Sequence, residues 1–335
     1  MVTAKVWTLA RQPKGEPTRD DFACKEEVLP LCEDGDVIVE AVCLSVDPYM
    51  RFKLCSISLN ATMMGEQIAR VIESKNSEWP VGSHMLVYVG WRTHTYLSYT
   101  DLRDTDKSVQ QLPDLGTLPK SLGLGILGMP GNTAYLAFLE VMHPKPGETV
   151  VVNAAAGAVG SIVVQLAKLA GCKVVAFAGS DEKVAWLKEV GINHAFNYKT
   201  VKVGDTLAQV APENINIYFD NVGGKFTSEV LPHMATHGRM LVCGVISSYN
   251  DDMMSSAVIS PLSEYMVMRK ELIIKGFVIY SWKHRWESSF RQMKKWVDEG
   301  KIQYHETVVQ GFSNMPYAFI GLFRGANTGK VVVVP

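Results

Sequence analysis

The chain has few cysteines, no long apolar run and almost no net charge. None of its six cysteines forms a C-x-x-C pair, which argues against a four-cysteine zinc lobe and against a disulfide scaffold. No apolar run reaches the ~18 residues of a membrane span, and the N-terminus lacks the apolar stretch of a signal peptide. A formal net charge of −1 gives no basic field for nucleic acid or anionic lipid. We therefore expect a cytoplasmic globular protein without a nucleic-acid or membrane partner.

The first part of the chain has the composition of short strands separated by turns. The segments Asp36–Val46 and Gln67–Ser74 are apolar and rich in β-branched residues, and proline and glycine punctuate the region between them and around them. This pattern predicts a mainly β, antiparallel, barrel-like domain over residues 1–124. The terminal segment "GKVVVVP" is predicted to be a strand that returns to this domain, which adds residues 312–335 to it.

From Thr149 onward, predicted strands and helices alternate. The buried strand "TVVVN" is followed by the helix "GSIVVQLAKLAG", the strand "KVVAF" and the helix "DEKVAWLKEVG", for which Ser180 is a plausible N-cap. Further strands are predicted at "HAFNY", "NIYFDN", "RMLVCGV" and "ELIIKGFVIY". Such alternation predicts an α/β, doubly wound parallel sheet, which we assign to residues 125–311.

The turn "VVNAAAGAVGS" resembles the phosphate-binding turn of a dinucleotide fold. Aligned with G-x-G-x-x-G, Ala155 takes the place of the first glycine, and Gly157 and Gly160 supply the glycines that let the backbone approach a pyrophosphate and let the helix pack on the strand. A helix opening near Ala158 would direct free N–H groups at the phosphates. A small-residue turn with no ligand is the alternative, but the strand before it and the helix after it favour a cofactor site.

The end of the second strand favours NADP over NAD. An NAD site usually has an acidic residue there for the ribose hydroxyls, and this position is Ala178. Lys183 can supply a cation and Ser180 a hydrogen bond to a 2′-phosphate. The alternative is that Lys183 is a solvated helix residue and that Asp181 serves the ribose.

A β-rich first domain before a dinucleotide fold suggests the medium-chain dehydrogenases/reductases. Zinc members of that superfamily take a histidine from a G-H-E segment, where Glu66 stands here, and a cysteine from a position that falls near Leu44 or Ser45. Cys43 is interpreted as a buried strand residue. The sequence therefore predicts no metal and no Lewis-acid catalysis by zinc.

Segments along the whole chain resemble one family in that superfamily. They are "VDPYMR", "TMMGEQIARVIESKN", "GMPGNTAY", "VNAAAGAVGS", "GSDEKVAWL", "FNYKT", "YFDNVGG", "CGVISSYN" and "GFVIY". The chain resembles the prostaglandin reductases, which are zinc-independent, use NADPH and have a GroES-like first domain. The resemblance implies reduction of the carbon–carbon double bond of α,β-unsaturated ketones and aldehydes, including 15-oxoprostaglandins and alkenals, and extends to NADP-dependent oxidation of a hydroxy-leukotriene.

The resemblance also implies site residues. Contacts to the cofactor are expected from Gly157, Ala158, Val159, Gly160, Ser180, Lys183, Tyr198, Asn221, Cys243, Gly244, Val245, Ile246, Ser247, Ser248, Tyr249, Phe277, Val278, Ile279 and Asn327. Contacts to the substrate are expected from Tyr49, Met129 and Pro130. Arg51 is a further candidate, because its guanidinium could meet a fatty-acid carboxylate; the alternative is a solvated surface charge. Judged by residue type alone, Phe277 and Ile279 are core residues.

The implied reaction needs a hydrogen-bond donor. Hydride addition to the β-carbon of an enone leaves negative charge on the carbonyl oxygen, which a positioned donor would stabilise in the absence of a metal. Tyr249 is the catalytic candidate; the ribose hydroxyl of the cofactor competes for this role, and Tyr249 could instead only pack on the cofactor.

Two departures from the family lie after Tyr249. The segment from Asn250 to Lys270 lacks the proline-rich loop of close relatives, and Arg269 stands where relatives often carry tyrosine.

The alternatives to enone reduction are a quinone reductase of the same superfamily and an NADPH-binding protein with little catalysis.

We expect a homodimer, because "LIIKGFVIY" has the composition of an apolar edge strand that would pair with the same strand of a second copy. An interior strand is the alternative.

Overall fold

The structure is a computed structural model that describes residues 1–251 and 263–335. Its strands are β1 (Thr3–Leu9), β2 (Phe22–Val28), β3 (Val37–Val46), β4 (Glu66–Ser74), β5 (His84–Tyr88), β6 (His94–Leu97), β7 (Gln110–Gln111), β8 (Thr149–Val152), β9 (Lys173–Ala178), β10 (His194–Asn197), β11 (Ile215–Asp220), β12 (Met234–Val242), β13 (Ile273–Gly276), β14 (Glu306–Gln310) and β15 (Lys330–Val334). Its α-helices are α1 (Met50–Lys53), α2 (Met129–Tyr135), α3 (Gly160–Leu169), α4 (Asp181–Glu189), α5 (Val203–Val210), α6 (Gly224–Val230), α7 (Glu264–Arg269), α8 (Trp286–Asp298) and α9 (Met315–Phe323). None of the helices in these ranges has the length and apolarity to cross a bilayer.

The chain forms two compact units. Unit 1 contains Met1–Leu124, Glu306–Asn327 and Val331–Pro335, and unit 2 contains Gly125–His305 and Thr328–Lys330. These bounds differ from the expected segments at 306–311 and at 328–330. Residues 306–310 join unit 1 because β14 lies beside β15 in its sheet, and Gly329 joins unit 2 because it forms a parallel bridge with Gly157.

Unit 1 is built around a sheet in the order β14-β15-β3-β4-β5-β7, with β6 also paired to β3. β3 pairs antiparallel with β4, and Val331 of β15 lies opposite Val46 of β3. The predicted β domain and the return of the C-terminal strand are confirmed. One apolar cluster of this unit contains Trp7, Trp91 and Phe319, and the indole of Trp7 donates a 2.9 Å hydrogen bond to the carbonyl of Phe312.

Unit 2 contains a parallel sheet in the order β10-β9-β8-β11-β12-β13. This confirms the predicted doubly wound sheet. The strand order reverses between β8 and β11, which are neighbours although β9 and β10 separate them in sequence. In open α/β sheets such a reversal leaves a crevice at the carboxyl ends of the two strands, where ligands bind.

The last strand of this sheet is shorter than predicted. β13 ends at Gly276, and residues 279–285 form a 3-10 helix, so the expectation of a strand through Tyr280 was wrong. The amide of Phe277 makes a last main-chain bond to the carbonyl of Val242 at the end of β12. Beyond it the chain turns away from the sheet, and the ring of Phe277 stacks on Trp282 at 5.8 Å. Within the described residues, β13 does lie at the sheet edge.

Candidate cofactor site

The turn after β8 is shaped by one alanine and one glycine. The left-handed residue is Ala154, at φ 44°, whereas the sequence alignment placed the missing turn glycine at Ala155. A Cβ on Gly160 would lie 2.4 Å from the carbonyl oxygen of Ala154, and one on Gly157 would lie 3.2 Å from it. Gly160 is therefore required for close packing of α3 on the turn, as predicted from the sequence.

The turn leaves main-chain donors at the start of α3. α3 begins at Gly160, the first residue of the predicted helix "GSIVVQLAKLAG". The amide of Gly157 donates to Ala154 at 2.9 Å, so it closes the turn. Within the described residues, the amides of Ala158, Val159 and Gly160 donate to no protein acceptor. These three donors at a helix N-terminus suit an anion.

A second segment supports the turn from the other side. The amide of Gly329 donates to the carbonyl of Ala156 at 2.7 Å. Gly329 has φ +64°, and a Cβ there would lie 1.8 Å from the carbonyl oxygen of His305. Asn327, a predicted cofactor contact, lies two residues before Gly329.

The end of β9 carries a cationic cluster. Ser180 caps α4 by accepting the amide of Lys183 at 3.4 Å, which confirms the predicted N-cap. Lys183 is half-buried, and its pKa is lowered, first by burial and then by the charge of Lys199, with Glu182 opposing. Lys183 is therefore only partly solvated, and its contact with a 2′-phosphate stays a prediction.

Tyr198 and Lys199 complete this cluster. A Cβ on Gly179 would lie 3.3 Å from the Tyr198 ring and 3.7 Å from Cε of Lys199. Asp181 accepts a 2.9 Å hydrogen bond from Asn197. Two ammonium groups and a phenol beside the chain after β9 fit a 2′-phosphate. Sequence reasoning missed Lys199, although it directly follows Tyr198.

Polar residues meet at the carboxyl ends of β8 and β11. Asn153 follows β8, and Asp220 ends β11 with Asn221 after it. The side chain of Asn153 accepts from the amide of Asn221 at 2.7 Å and donates to Asp220 Oδ1 at 2.7 Å. Asn153 and Asp220 are each 1% exposed. Sequence reasoning selected Asn221 but neither of these partners.

The segment after β12 runs beside the segment after β11. The amide of Cys243 donates to the carbonyl of Asp220 at 2.8 Å, and that of Ile246 to Asn221 at 3.3 Å. Ser247 bonds to Val222 through both its amide, at 3.1 Å, and its hydroxyl, at 2.6 Å. The predicted cofactor residues at 221 and at 243–248 thus lie on two hydrogen-bonded loops, one after β11 and one after β12.

Two titratable side chains in this loop keep their protons. Burial, and then the charge of Asp220, raise the pKa of Cys243 to about 12. Burial raises the pKa of Tyr249, and a hydrogen bond from the amide of Val245 to its hydroxyl, at 3.5 Å, opposes this shift. Both groups are neutral at pH 7.

The remaining predicted site residues of unit 2 differ in their burial and in their hydrogen bonds. Phe277 and Ile279 are buried, as their residue types indicated, whereas Val278 is 64% exposed. Met129 and Pro130 start α2, and Thr133 donates to the carbonyl of Met129 at 2.8 Å.

Tyr49 and Arg51 belong to unit 1. Tyr49 precedes α1, and its hydroxyl bonds to Tyr88. Arg51 is 4% exposed and donates to the carbonyl of Gly15 at 2.9 Å. The interpretation of Arg51 as a solvated surface charge was wrong, since its guanidinium is buried.

The positions that supply zinc ligands in the zinc members of the superfamily carry other residues in this chain. Cys43 is buried in β3, as predicted, and Glu66 begins β4. Over residues 1–251 and 263–335, no three His, Cys, Asp or Glu side chains lie together in a way that could hold a metal ion. That the protein works without metal stays a prediction from these substitutions.

The divergent segment lies partly outside the described residues. Positions 252–262 of the segment that lacks the proline-rich loop are among those not described. Arg269 ends α7, is exposed and donates to the hydroxyl of Tyr265 at 3.0 Å.

Comparisons with known proteins match both units. A family model described as zinc-binding dehydrogenase matches residues 158–298, and one described as N-terminal domain of oxidoreductase matches residues 5–104. Prostaglandin reductase 1 of Bos taurus is 51% identical over 99% of both chains. The NADP(+)-dependent 2-alkenal reductase of Nicotiana tabacum is 36% identical, with 99% of this chain and 98% of that protein covered. The crystal structure of CurA from Vibrio vulnificus in complex with NADPH superposes with a TM-score of 0.89 at 36% identity, covering 98% of each chain.

Proposed function

The chain belongs to the prostaglandin reductase family of the medium-chain dehydrogenases/reductases, and we propose that it reduces the carbon–carbon double bond of α,β-unsaturated ketones and aldehydes with NADPH. The observation that carries this proposal is the 51% identity to a prostaglandin reductase 1 over 99% of the chain. The substrate class includes 15-oxoprostaglandins and alkenals, and the activity extends to NADP-dependent oxidation of a hydroxy-leukotriene.

The residues of unit 2 fit NADPH. The amides of Ala158, Val159 and Gly160 would hold the pyrophosphate, and Lys183, Lys199 and Tyr198 would hold the 2′-phosphate beside Ser180. Residues 221, 243–249 and 277–279 are the proposed contacts to the rest of the cofactor, and Asn327 is a further proposed contact. The support for this assignment is the pair of anion-binding features, one after β8 and one after β9, that a dinucleotide phosphate requires.

NADPH, when bound, supplies the hydride that adds to the β-carbon. The residues of the chain must then stabilise the oxygen on which charge develops. Tyr249 is proposed for this role, because burial raises its pKa and a phenol that keeps its proton can donate to an enolate oxygen. Tyr49, Arg51, Met129 and Pro130 are proposed substrate contacts.

We propose that the protein is a cytoplasmic homodimer. All six cysteines, each within the described residues, are free thiols, which is typical of a reducing compartment. The support for the dimer is the position of β13 at the edge of its sheet, with large apolar side chains exposed beside it.

The test of the activity follows NADPH absorbance with a panel of substrates. The panel contains an oxo-prostaglandin, an alkenal and a quinone, and a separate assay offers an alcohol with NADP. We expect turnover of the first two with poor turnover of the quinone. Turnover of the quinone alone would favour a quinone reductase, NADPH binding without turnover would favour a binding protein, and activity on the alcohol alone would overturn the reaction class.

A further inference from the structure

Asp220 is a buried carboxylate with a full set of donors. Its Oδ1 accepts from the amides of Val222 at 2.9 Å and Gly223 at 2.8 Å, and from the side chain of Asn153 at 2.7 Å. Its Oδ2 accepts from the hydroxyl of Thr227 at 2.5 Å. Four donors satisfy the carboxylate, which is the condition under which burial of this charge is tolerated.

The partners of Asp220 are themselves held in place. Asn153 also donates to the hydroxyl of Tyr218 at 2.7 Å, and that hydroxyl lies 3.2 Å from Oγ1 of Thr227. All of these side chains are at most 5% exposed. Burial, and next the charge of Asp220, raise the pKa of Tyr218 well above its ordinary value, so it is a neutral hydroxyl within the network.

The hydrogen-bond network around Asp220 holds the loop after β11 and, through that loop, the loop after β12. Through Oδ1 it holds the turn from Asn221 to Gly223, which enters α6 with Gly223 at φ 70°. The carbonyl groups of Asn221 and Val222 in this turn accept hydrogen bonds from the amides of Ile246 and Ser247, which lie in the loop after β12. A movement of Asp220 would therefore displace both loops that form the proposed cofactor surface.

We propose that Asp220, oriented by Asn153 and Thr227, is a positioning residue that holds the 221–223 and 243–247 loops in the arrangement that binds NADPH. This inference deepens the proposed function and rests on it. Asp220 acts through its hydrogen bonds, because Oδ1 meets three N–H donors. Its charge is not the determining property.

Two substitutions at Asp220 separate hydrogen bonding from charge. Asp220→Asn removes the charge, but its amide oxygen can keep the three N–H donors while its NH₂ group faces Thr227, whose hydroxyl can accept. Asp220→Ala removes every acceptor of the carboxylate and leaves the amides of Val222 and Gly223 without their hydrogen-bond partner. We expect Asp220→Asn to bind NADPH within about threefold of the parent and Asp220→Ala to bind it at least about tenfold more weakly.

A second pair of variants, at Thr227, tests the same network if Asp220→Ala does not fold. Thr227→Val removes the donor to Oδ2 with little change in shape, and Thr227→Ser restores a hydroxyl. We expect Thr227→Val to weaken NADPH binding by about fivefold and Thr227→Ser to recover it.

The measurements separate positioning from general stability. They are the NADPH dissociation constant by fluorescence, the KM for the enone against kcat, and hydrogen exchange in the protein without cofactor. We expect faster exchange confined to residues 219–230 and 240–250, with weaker NADPH binding and a nearly unchanged KM for the enone. The control is Glu148→Ala, which removes a carboxylate that accepts from Arg239 at 2.6 Å in the same unit, before the start of β8. It should lower the melting temperature without changing NADPH affinity.

Each outcome decides one point. NADPH affinity unchanged in both Asp220→Ala and Thr227→Val would overturn the positioning role, as would equal losses in Asp220→Asn and Asp220→Ala, which would make the charge decisive. A parent protein that binds no NADPH would overturn the proposed function instead, while the exchange measurement would still test whether Asp220 holds the two loops.

Discussion

At the scale of single residues, Lys183 provides the test of the proposed 2′-phosphate site. Its ammonium lies beside Lys199 at the end of β9. We expect Lys183→Ala to raise the KM for NADPH by about 10- to 100-fold, since a charge-assisted hydrogen bond is worth roughly 1.5–3 kcal/mol. The KM for NADH should change little, because NADH has no 2′-phosphate. Steady-state kinetics with both cofactors measures the effect.

The pH dependence of this preference follows from the lowered pKa of Lys183. A lysine with a lowered pKa loses its charge at a lower pH than an ordinary lysine. The preference for NADPH is therefore greatest below that pKa and declines as pH rises through it. Lys188→Ala, an exposed lysine on the same helix, is the control. Equal use of both cofactors by the parent protein would contradict phosphate recognition at this site.

Cys243 is predicted to resist alkylation, although the proposed substrates react with thiolates. With a pKa of about 12, only roughly one thiol in 10⁴ is ionised at pH 8. Treatment with iodoacetamide at pH 8, followed by peptide mass spectrometry, should label the exposed Cys24 and Cys55 long before Cys243. Labelling of Cys243 as fast as Cys24 would show that its thiol is accessible and ionised.

Tyr249 has two possible roles that one substitution separates. If its hydroxyl stabilises the developing enolate, Tyr249→Phe should lower kcat by about 10²- to 10³-fold with little change in the KM for NADPH. If the hydroxyl only braces the loop through the amide of Val245, kcat should fall less than about threefold. We expect the first result, measured under saturating NADPH with an alkenal.

Asn153 and Asp220 belong to no recognised motif, but their places in the strand pattern are informative. Asn153 and Asp220 each follow or end a predicted parallel strand, and the carboxyl ends of neighbouring parallel strands lie on one edge of a sheet. The strand order was needed to know that β8 and β11 are neighbours. Lys183 and Tyr198 were selected from the sequence, and their role stays a prediction. The burial of Arg51 was not predicted, and it involves a contact with Gly15, 36 residues away in sequence.

At the scale of elements, two glycines near the starts of two helices should respond in opposite ways to alanine. Gly160→Ala places a Cβ 2.4 Å from the carbonyl oxygen of Ala154, and we expect a loss of about 1–3 kcal/mol in the free energy of unfolding with loss of NADPH binding. Gly204, the second residue of α5, has no atom closer than 3.6 Å to such a Cβ. Gly204→Ala should be neutral or stabilise by up to about 1 kcal/mol. Urea denaturation and NADPH titration compare the two variants, and a fully stable Gly160→Ala would contradict the packing described for the turn.

The periodicity of the sequence was sufficient for most elements of unit 2. Apolar strands and amphipathic helices alternate from Thr149, and β8, α3, β9 and α4 lie where they were predicted. The end of β13 could not be predicted in this way, because "GFVIY" is apolar whether it continues a strand or packs as a turn. Stacking of Phe277 on Trp282 decides between the two, and it depends on three-dimensional contacts.

At the scale of the whole molecule, the edge strand β13 is the best candidate for contact between two copies of the chain. β10 forms the other edge of the same sheet in the described residues, and it carries His194 and Asn197 at its ends. Around β13, by contrast, Met268, Ile273 and Val278 are 69%, 56% and 64% exposed. An edge with unpaired backbone groups and exposed apolar side chains favours pairing with a second copy.

This edge can be tested by changing one side chain. Light scattering after size exclusion should give twice the 37.0 kDa mass of the chain for the parent protein. Ile273→Lys should shift the mass toward that of the single chain, because a charge on the edge opposes pairing with an identical copy. Tyr317→Lys, at a 58% exposed position of unit 1, should leave the mass unchanged. A parent protein with the mass of one chain would exclude the dimer, and a dimeric Ile273→Lys would move the interface away from β13.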